Sequence, residues 1–433
     1  MLRREGPDKS MPTSLRAIAN KARESRKHRF QNLYHLLNRV NLKTCFFELK
    51  KNAAPGVDNI DWQTYEANLE ENLRNLNARL KDGSYRARPI RRKYIPKSNG
   101  KLRPLGIPCL EDKIVQRAVA HILEAIYEQD FLDFSFGYRP QKSAQGASTE
   151  LAQVLQFGPY GWVVEADIRG FFDSMDHDWL IRMLEQRIGD RKILRLIRKW
   201  LKAGILEPDL TMLHPETGTP QGGIVSPILA NIYLHYALDL WFEHMVKPKC
   251  RGKAKIVRYV DDFVCAFQYH DEATQFQQAL EERLGKFQLA LAPEKTRSFR
   301  FNRFFIGGEQ FDFLGFTYRW GKNSKDAPQV WRKTARDRFR GALKRLKEWL
   351  RKARNLPMKE LMKTLKSKYR GHRNYYGVVG NKHLLDSFEH FANGIVFKWL
   401  NRRSQRRSYN WQGFRQALIR YGLGEENIEK IAA

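Results

Sequence analysis

At 259–262 the chain reads Tyr259-Val260-Asp261-Asp262, set between KIVR and FVCAF. Two apolar, β-prone stretches meeting at a pair of carboxylates read as a hairpin. Aspartate is also a good turn residue, so the pair alone has a purely structural reading. A second stretch shifts the balance: VVEADIRGFFD at 163–173 runs an apolar strand out to Asp167. If the two strands are neighbours, Asp167 meets the Asp261–Asp262 tip. Converging carboxylates suit two hard cations about 3.5–4 Å apart, bridged by phosphate oxygens for an in-line displacement. Without cations the same groups would repel one another, which makes them a poor structural device.

The elements that must position these groups follow from apolar spacing. WVVEADI at 162–168 and KIVRYV at 255–260 read as short strands, and 177–204 and 271–288 as helical. Phe30, Leu33, Leu37 and Val40 step by three and four, as do Leu69, Leu73, Leu76 and Leu80, the latter stopping at Asp82–Gly83. TPQGGIVSPILANIYL predicts a tight loop and then a helix over 226–238. Beyond about residue 330 the pattern is purely helical. Its stripes are Phe339/Leu343/Leu346/Leu350, then Met358/Leu361/Met362/Leu365 opened by Pro357 in the first turn, then Leu384/Phe388/Phe391/Ile395. The Gly/Asn/Lys/Ser-rich stretch 321–326 is the expected domain break, and no internal repeat is visible.

The chain has 433 residues, 78 Lys+Arg against 47 Asp+Glu, and a formal net charge of +31. That length covers two or three domains, and a hydrophobic share of 42% places the surplus on a folded protein. Residues 331–410 alone hold 23 Lys/Arg and 5 Asp/Glu, interleaved with Trp331, Phe339, Trp349, Tyr369, Tyr375 and Tyr376. Cations spread over so long a segment predict a polyanionic partner, nucleic acid rather than a membrane surface. Cys45, Cys109, Cys250 and Cys265 form no C-x-x-C pair, which argues against a disulfide scaffold or a zinc finger. No apolar run approaches a membrane span, and MLRREGPDKSMPTS lacks the apolar core of a signal peptide. A soluble, cytoplasmic, nucleoid- or RNA-associated protein is expected.

The motifs together resemble bacterial group II intron-encoded reverse transcriptases, the multifunctional intron maturases. Tyr259-Val260-Asp261-Asp262 is similar to the palm's Tyr-x-Asp-Asp motif, and Asp167 to the first palm aspartate. Further blocks follow in the family's order: KSNGKLRPLGIP at 97–108 (fingers), FSFGYRP at 134–140 (before the palm), and TPQGGIVSPILANIYL at 219–234 (template and nucleotide). APEKT at 292–296 resembles the last palm block, FDFLGF at 311–316 the primer grip, and RGHRNYYGVVGN at 370–381 the thumb or X domain. The resemblance spans roughly residues 25–410. It implies an α/β right-hand polymerase fold, fingers and palm, followed by an all-helical thumb. The divisions would be a basic N-terminal extension 1–50, fingers and palm 51–325, thumb/X domain 326–410 and a short tail 411–433.

The same resemblance implies roles residue by residue. Asp167, Asp261 and Asp262 would be catalytic and hold two Mg²⁺ ions, with Mn²⁺ as a substitute. Lys97, Arg103, Ile168, Phe172 and Gln221 would bind the dNTP. Phe172 would act as a steric gate against a ribose 2′-hydroxyl, with the adjacent Phe171 leaving open which ring is the gate and which is core. Lys295 would donate a proton to pyrophosphate, and Phe313-Leu314-Gly315 would support the primer end. Arg139, Arg370, Arg373 and Tyr375 would contact template or intron RNA, although Arg139 has the alternative of anchoring its own turn. Partners would be an RNA template, a group II intron RNA, a DNA primer or target, and dNTPs, with no membrane. Val260 stands where intron enzymes commonly carry Ala. With no Cys after 265 and little chain beyond Arg407, an H-N-H nuclease is not expected. Two rival readings are a domesticated enzyme of the same fold in defence or DNA repair without its own intron, and an RNA-binding splicing factor with a relic polymerase site.

Overall fold

The computed structural model describes residues 12–96, 102–219, 222–403 and 408–423. The chain forms two compact units, Met1–Ala147 with Pro159–Phe299, and Ser148–Gly158 with Arg300–Ala433. The helix Ala144–Phe157 carries the chain from one to the other.

In the first unit the strands in chain order are β1 (Ile90–Pro96), β2 (Leu102–Ile107), β3 (Trp162–Asp167), β4 (Ile205–Leu206), β5 (Met212–Leu213), β6 (Ala254–Tyr259), β7 (Asp262–Phe267) and β8 (Arg297–Arg300). They make two four-stranded sheets, ordered β2-β1-β4-β5 and β6-β7-β3-β8. The second positions the chemistry. Val163, Val164, Ile256, Val257, Phe263 and Val264 are buried, so the β-branched and aromatic runs sit as the sheet's core. The helix Leu110–Tyr127 is buried along nearly its whole length, with Thr13–Glu24 and Arg39–Glu48 packed on it. Leu73, Leu76 and Leu80 are the buried stripe of Leu69–Lys81, which stops at Asp82 where Gly83 takes φ +80°. The step from Phe30 to Val40 is not one helix. Tyr34–Leu36 is a single 3₁₀ turn, the α-helix begins at Arg39, and Val40 is exposed. Leu33 and Leu37 are buried all the same, from the turns around that short helix.

The second unit adds β9 (Phe311–Phe313), β10 (Phe316–Lys322) and β11 (Pro328–Thr334), ordered β11-β10-β9 and antiparallel throughout. Among the described residues four helices follow, Arg336–Ala353, Met358–Tyr376, Lys382–Leu400 and Trp411–Arg420. Two expected boundaries therefore move. Residues 321–326 are the tip of the β10–β11 hairpin, inside the unit, and the units divide at Phe299/Arg300. Trp411–Arg420 is no tail: Asn410 caps it on Gly413 N–H, and Phe414 and Leu418 are buried with Leu361, Leu365, Val396 and Leu400. Pro357 sits at the N-cap rather than within the first turn, and Phe391, counted in the third apolar stripe, is half-exposed. Among the described residues no helix is long and apolar enough to cross a membrane.

Candidate active site

Strands β3 and β7 pair antiparallel in a register that sets Asp167 opposite Asp262, while β6 and β7 close with Tyr259 opposite Asp262. Val260 and Asp261 are thus the two-residue tip of the hairpin. Val260 has φ +60°, an uncommon conformation for a β-branched residue. It is tolerated because the tip is held from below: Val260 is buried, and Gly137 lies flat against it where any Cβ would come within 2.3 Å of Val260 Cγ2. The FSFG part of FSFGYRP runs alongside, with Phe136 N–H donating to Arg258 O and Arg258 N–H to Phe134 O, both at 2.9 Å.

The charges follow from this packing. Burial pushes the Asp262 carboxyl up to about 7, with Asp167, Asp261 and Glu165 adding to the effect against the pull of Lys295. Burial also raises Asp261, with Asp167 adding to it, against the attraction of Arg103 and Lys295. Glu165, two residues before Asp167 and so on the same face of β3, pairs with Arg297 at 3.1 Å. It was missed in the sequence reading, although period-two spacing from Asp167 was the signal. Lys295, at the end of the 3₁₀ turn Pro293–Lys295, donates from Nζ to Asp167 Oδ2 at 2.6 Å, and that bond raises its pKa. Among the described residues no three His, Cys, Asp or Glu side chains form a ready-made ion site. The donor set nevertheless fits hard divalent cations: all oxygen, with Asp167 facing Asp262 across the ladder and Asp261 at the adjoining tip, three carboxylates beside the Lys295 ammonium.

The remaining predicted residues divide clearly. Arg103 lies on β2 opposite Ile95, exposed and close enough to act on Asp261. Lys97 and Gln221 lie outside the described residues. Gly222, beside Gln221, has φ +117° and abuts Gly106, where a Cβ would meet the carbonyl oxygen at 2.5 Å, so its close approach is to strand β2. Phe171 is buried in the core, and Phe172 is half-buried and packed against it. The backbone of Phe172 is tied to the 217–219 segment, Thr219 N–H donating to Phe172 O at 2.7 Å. Ile168 is buried, so its side chain cannot reach a nucleotide; its backbone bridges Leu291.

Arg139 takes its second reading. It is 8% exposed, donates to Leu132 O and Ser135 O at 2.7 Å each, and pairs with Glu128 at 3.0 Å. Its Nε and Nη2 face Glu128 and its Nη1 the two carbonyls, so it anchors its turn. In the second unit, Phe313 is core, and Leu314 (φ +51°) and Gly315 (φ +83°) form the tip of the β9–β10 hairpin, both dihedrals positive as in a type I′ turn. Tyr375 donates its hydroxyl to Leu314 O at 2.8 Å and stacks on Phe316, so it supports that tip rather than presenting itself to RNA. Arg373 pairs with Glu389 at 2.6 Å, while Arg370 is exposed.

Residues 95–318, which contain this whole sheet and all three aspartates, match the family model described as reverse transcriptase (RNA-dependent DNA polymerase). The chain belongs to that family. Divalent metal ions are general to reverse transcriptases, and the fold is their right-hand polymerase fold. Residues 339–418 match the group II intron, maturase-specific domain, a span that takes in most of Trp411–Arg420. The group II intron-encoded protein LtrA of Lactococcus lactis subsp. cremoris is 43% identical over 223 residues, covering 51% of this chain and 37% of the relative. The protein YkfC of Escherichia coli (strain K12) is 41% identical over 200 residues, 46% of this chain and 52% of the relative. An uncharacterized 91 kDa protein in the cob intron of Schizosaccharomyces pombe is 38% identical over 230 residues, 53% of this chain and 28% of the relative. The matched segments thus span from about a quarter to about half the length of these relatives.

Proposed function

We propose that the protein is an RNA-directed DNA polymerase that copies RNA into cDNA, and that its helical unit binds and steadies a group II intron RNA for splicing and mobility. The observation that carries the polymerase is the register of Asp167 against Asp262 beside the Asp261 tip, in a sheet lying within the reverse transcriptase match. Asp167, Asp261 and Asp262 would hold two Mg²⁺ ions, which supply Lewis-acid activation of a 3′-hydroxyl and stabilise the charge of the departing pyrophosphate. Arg103 offers a planar, bidentate donor to the triphosphate. Lys295, kept protonated by its bond to Asp167, would pass the Nζ proton to a pyrophosphate oxygen. Phe172 presents a rigid ring where a ribose 2′-hydroxyl would collide, selecting deoxynucleotides. The fingers and palm are assigned to the first unit and the thumb to the second.

The maturase role rests on the maturase-specific match and on the cationic surplus over the same helices. It is a binding function, in which the protein stabilises an RNA fold through phosphate contacts and shape. The deciding experiment is primer extension on a defined RNA template with Mg²⁺, offered dNTPs or NTPs, beside Asp261→Ala/Asp262→Ala. Deoxynucleotide extension that disappears in the double variant is expected. Extension that survives it would overturn the site, and absence of extension with tight, salt-sensitive RNA binding would leave only the RNA-binding role.

A further inference from the structure

Beneath the aspartate tip lies a charged group that the chemistry above does not use. Arg258, one residue before Tyr259, is the largest fully buried side chain among the described residues. Its Nε donates to Asp239 Oδ1 at 2.7 Å and its Nη2 to Asp239 Oδ2 and to Ser135 Oγ, the latter at 2.7 Å. Its Nη1 donates to Val260 O at 3.0 Å and to Asn231 Oδ1 at 3.3 Å. Asn231 in turn donates from Nδ2 to Gly137 O at 2.6 Å, and Gly137 is the residue pressed against Val260. Asp239 and Asn231 are both fully buried.

The helix that carries Asn231 and Asp239 is built for this meeting. Ser226–Leu234 is α-helical, and His235–Asp239 widens to a π-helix. Eight α-helical steps would turn roughly 800°, leaving Asp239 about 80° round from Asn231. The slower rotation of the π turn brings both onto the face that meets Arg258. A buried ion pair is weak as a source of stability, because desolvation offsets most of the attraction. One of its bonds here reaches the carbonyl of the residue at φ +60°, while those to Asp239, Ser135 and Asn231 fix the guanidinium that makes it, and strained backbone persists only where its surroundings over-determine it.

We propose that Arg258, with Asp239, Asn231 and Ser135, is a positioning network that fixes the Val260–Asp261 tip and so sets the geometry in which Asp261 and Asp262 bind metal and nucleotide. This rests on the assignment of those aspartates as catalytic. Arg258→Lys keeps the charge but has no planar fork to hold Asp239, Ser135 and Val260 O together. Ser135→Ala removes one acceptor and leaves the Arg258–Asp239 charges paired.

The test compares Arg258→Lys, Ser135→Ala, Asp261→Ala and the parent protein by thermal melting, primer–template affinity, single-nucleotide kcat and KM, and the Mg²⁺ concentration giving half-maximal rate. Arg258→Lys is expected to lower kcat about 30-fold or more and Ser135→Ala severalfold. Both should raise the Mg²⁺ midpoint and leave primer–template affinity within about twofold. A role in folding alone would lower the melting temperature and the active fraction, with kcat per folded molecule and the Mg²⁺ midpoint unmoved, and would overturn the proposal. Should Arg258→Lys fail to fold, Ser135→Ala decides by the same criteria. Extension persisting in Asp261→Ala would sink the site assignment itself. Its loss there, with kcat and Mg²⁺ midpoint unchanged in the position-258 and 135 variants, would sink the network alone.

Discussion

Gly137→Ala adds one methyl group, and the structure says where it must go. The new Cβ would stand 2.3 Å from Val260 Cγ2, 2.7 Å from Val260 N and 3.2 Å from Tyr259 C. Ordinary carbon contacts begin near 3.5 Å, so the overlap with Val260 is about 1 Å. A rotamer change could move Cγ2, but two of the three obstacles are backbone. The tip must therefore shift, carrying Asp261 and the start of β7 with it. Overpacking of this kind costs about 1–3 kcal/mol, and in a unit of this size each kcal/mol is worth about 2–4 °C of melting temperature. Displacing a reacting group by about 1 Å can cost about 100-fold in rate. The expected result is a protein that melts no more than about 12 °C lower, binds primer–template normally, and extends about 100-fold more slowly in single turnover. Gly285→Ala is the control, since a Cβ there meets nothing within 4 Å and its φ is not positive. A Gly137→Ala enzyme with parental single-turnover rate would refute the claim that the tip has no freedom to move.

Other outcomes follow from the same geometry. Phe172→Val should raise ribonucleotide incorporation relative to deoxynucleotide by about tenfold or more, and an unchanged ratio in a competition assay would remove the gate; Phe171→Val, at a buried ring, should instead lower the melting temperature. Burial pushes Glu124 up to about 7 from an ordinary value of 4.5. A carboxyl raised on folding contributes stability that is complete below about 4.5 and is lost as pH rises through about 7, so urea titrations should show the parent losing about 1–3 kcal/mol more than Glu124→Gln between pH 4.5 and 8. Parallel pH profiles would contradict this. Leu365→Ala, at a fully buried position in the helical unit, should cost about 2–5 kcal/mol and weaken intron RNA binding before it slows extension on a short primer–template; calorimetry and a filter-binding titration would show it.

Much of the site could be read from residue order, because its logic is local. A strand ending in Asp167, a hairpin tipped by two carboxylates and a Lys in a short turn each announce themselves within about ten residues. Pairing β3 with β7 fits their apolar runs, β7 apolar after Asp262 and β3 apolar but for the face that carries Glu165 and Asp167, as suits strands in the middle of a covered sheet. Leu69–Lys81 was legible for the same reason, with its stripe, its acidic first turn and its Gly stop. Where periodicity misled, at Phe30–Val40, apolar residues spaced like a helix are buried from a chain of turns, and spacing alone does not tell burial from helicity. The boundary at 321–326 failed because a polar Gly-bearing stretch marks a hairpin tip as readily as a linker.

What sequence reading could not supply is which cations are engaged inside the fold. Arg139, Arg258 and Arg373 look alike in a chain with 78 Lys+Arg, and a basic composition invites assigning all of them to nucleic acid. The structure sorts them by what lies around each. Arg139 is held by Glu128 and two carbonyls, Arg373 by Glu389, and Arg258 by Asp239 with no exposure at all. The acid that neutralises Arg258 is 19 residues away in sequence, on a π turn that no apolar period signals, and Ser135 is 123 residues away. Tyr375 shows the same limit from the aromatic side. In a basic helix it reads as a platform for a base, yet its hydroxyl is committed to Leu314 O, 61 residues upstream. Side chains of one type serve phosphate, turn or catalytic tip according to non-local partners, so a charge count identifies the class of ligand while only packing identifies which residues are left to bind it.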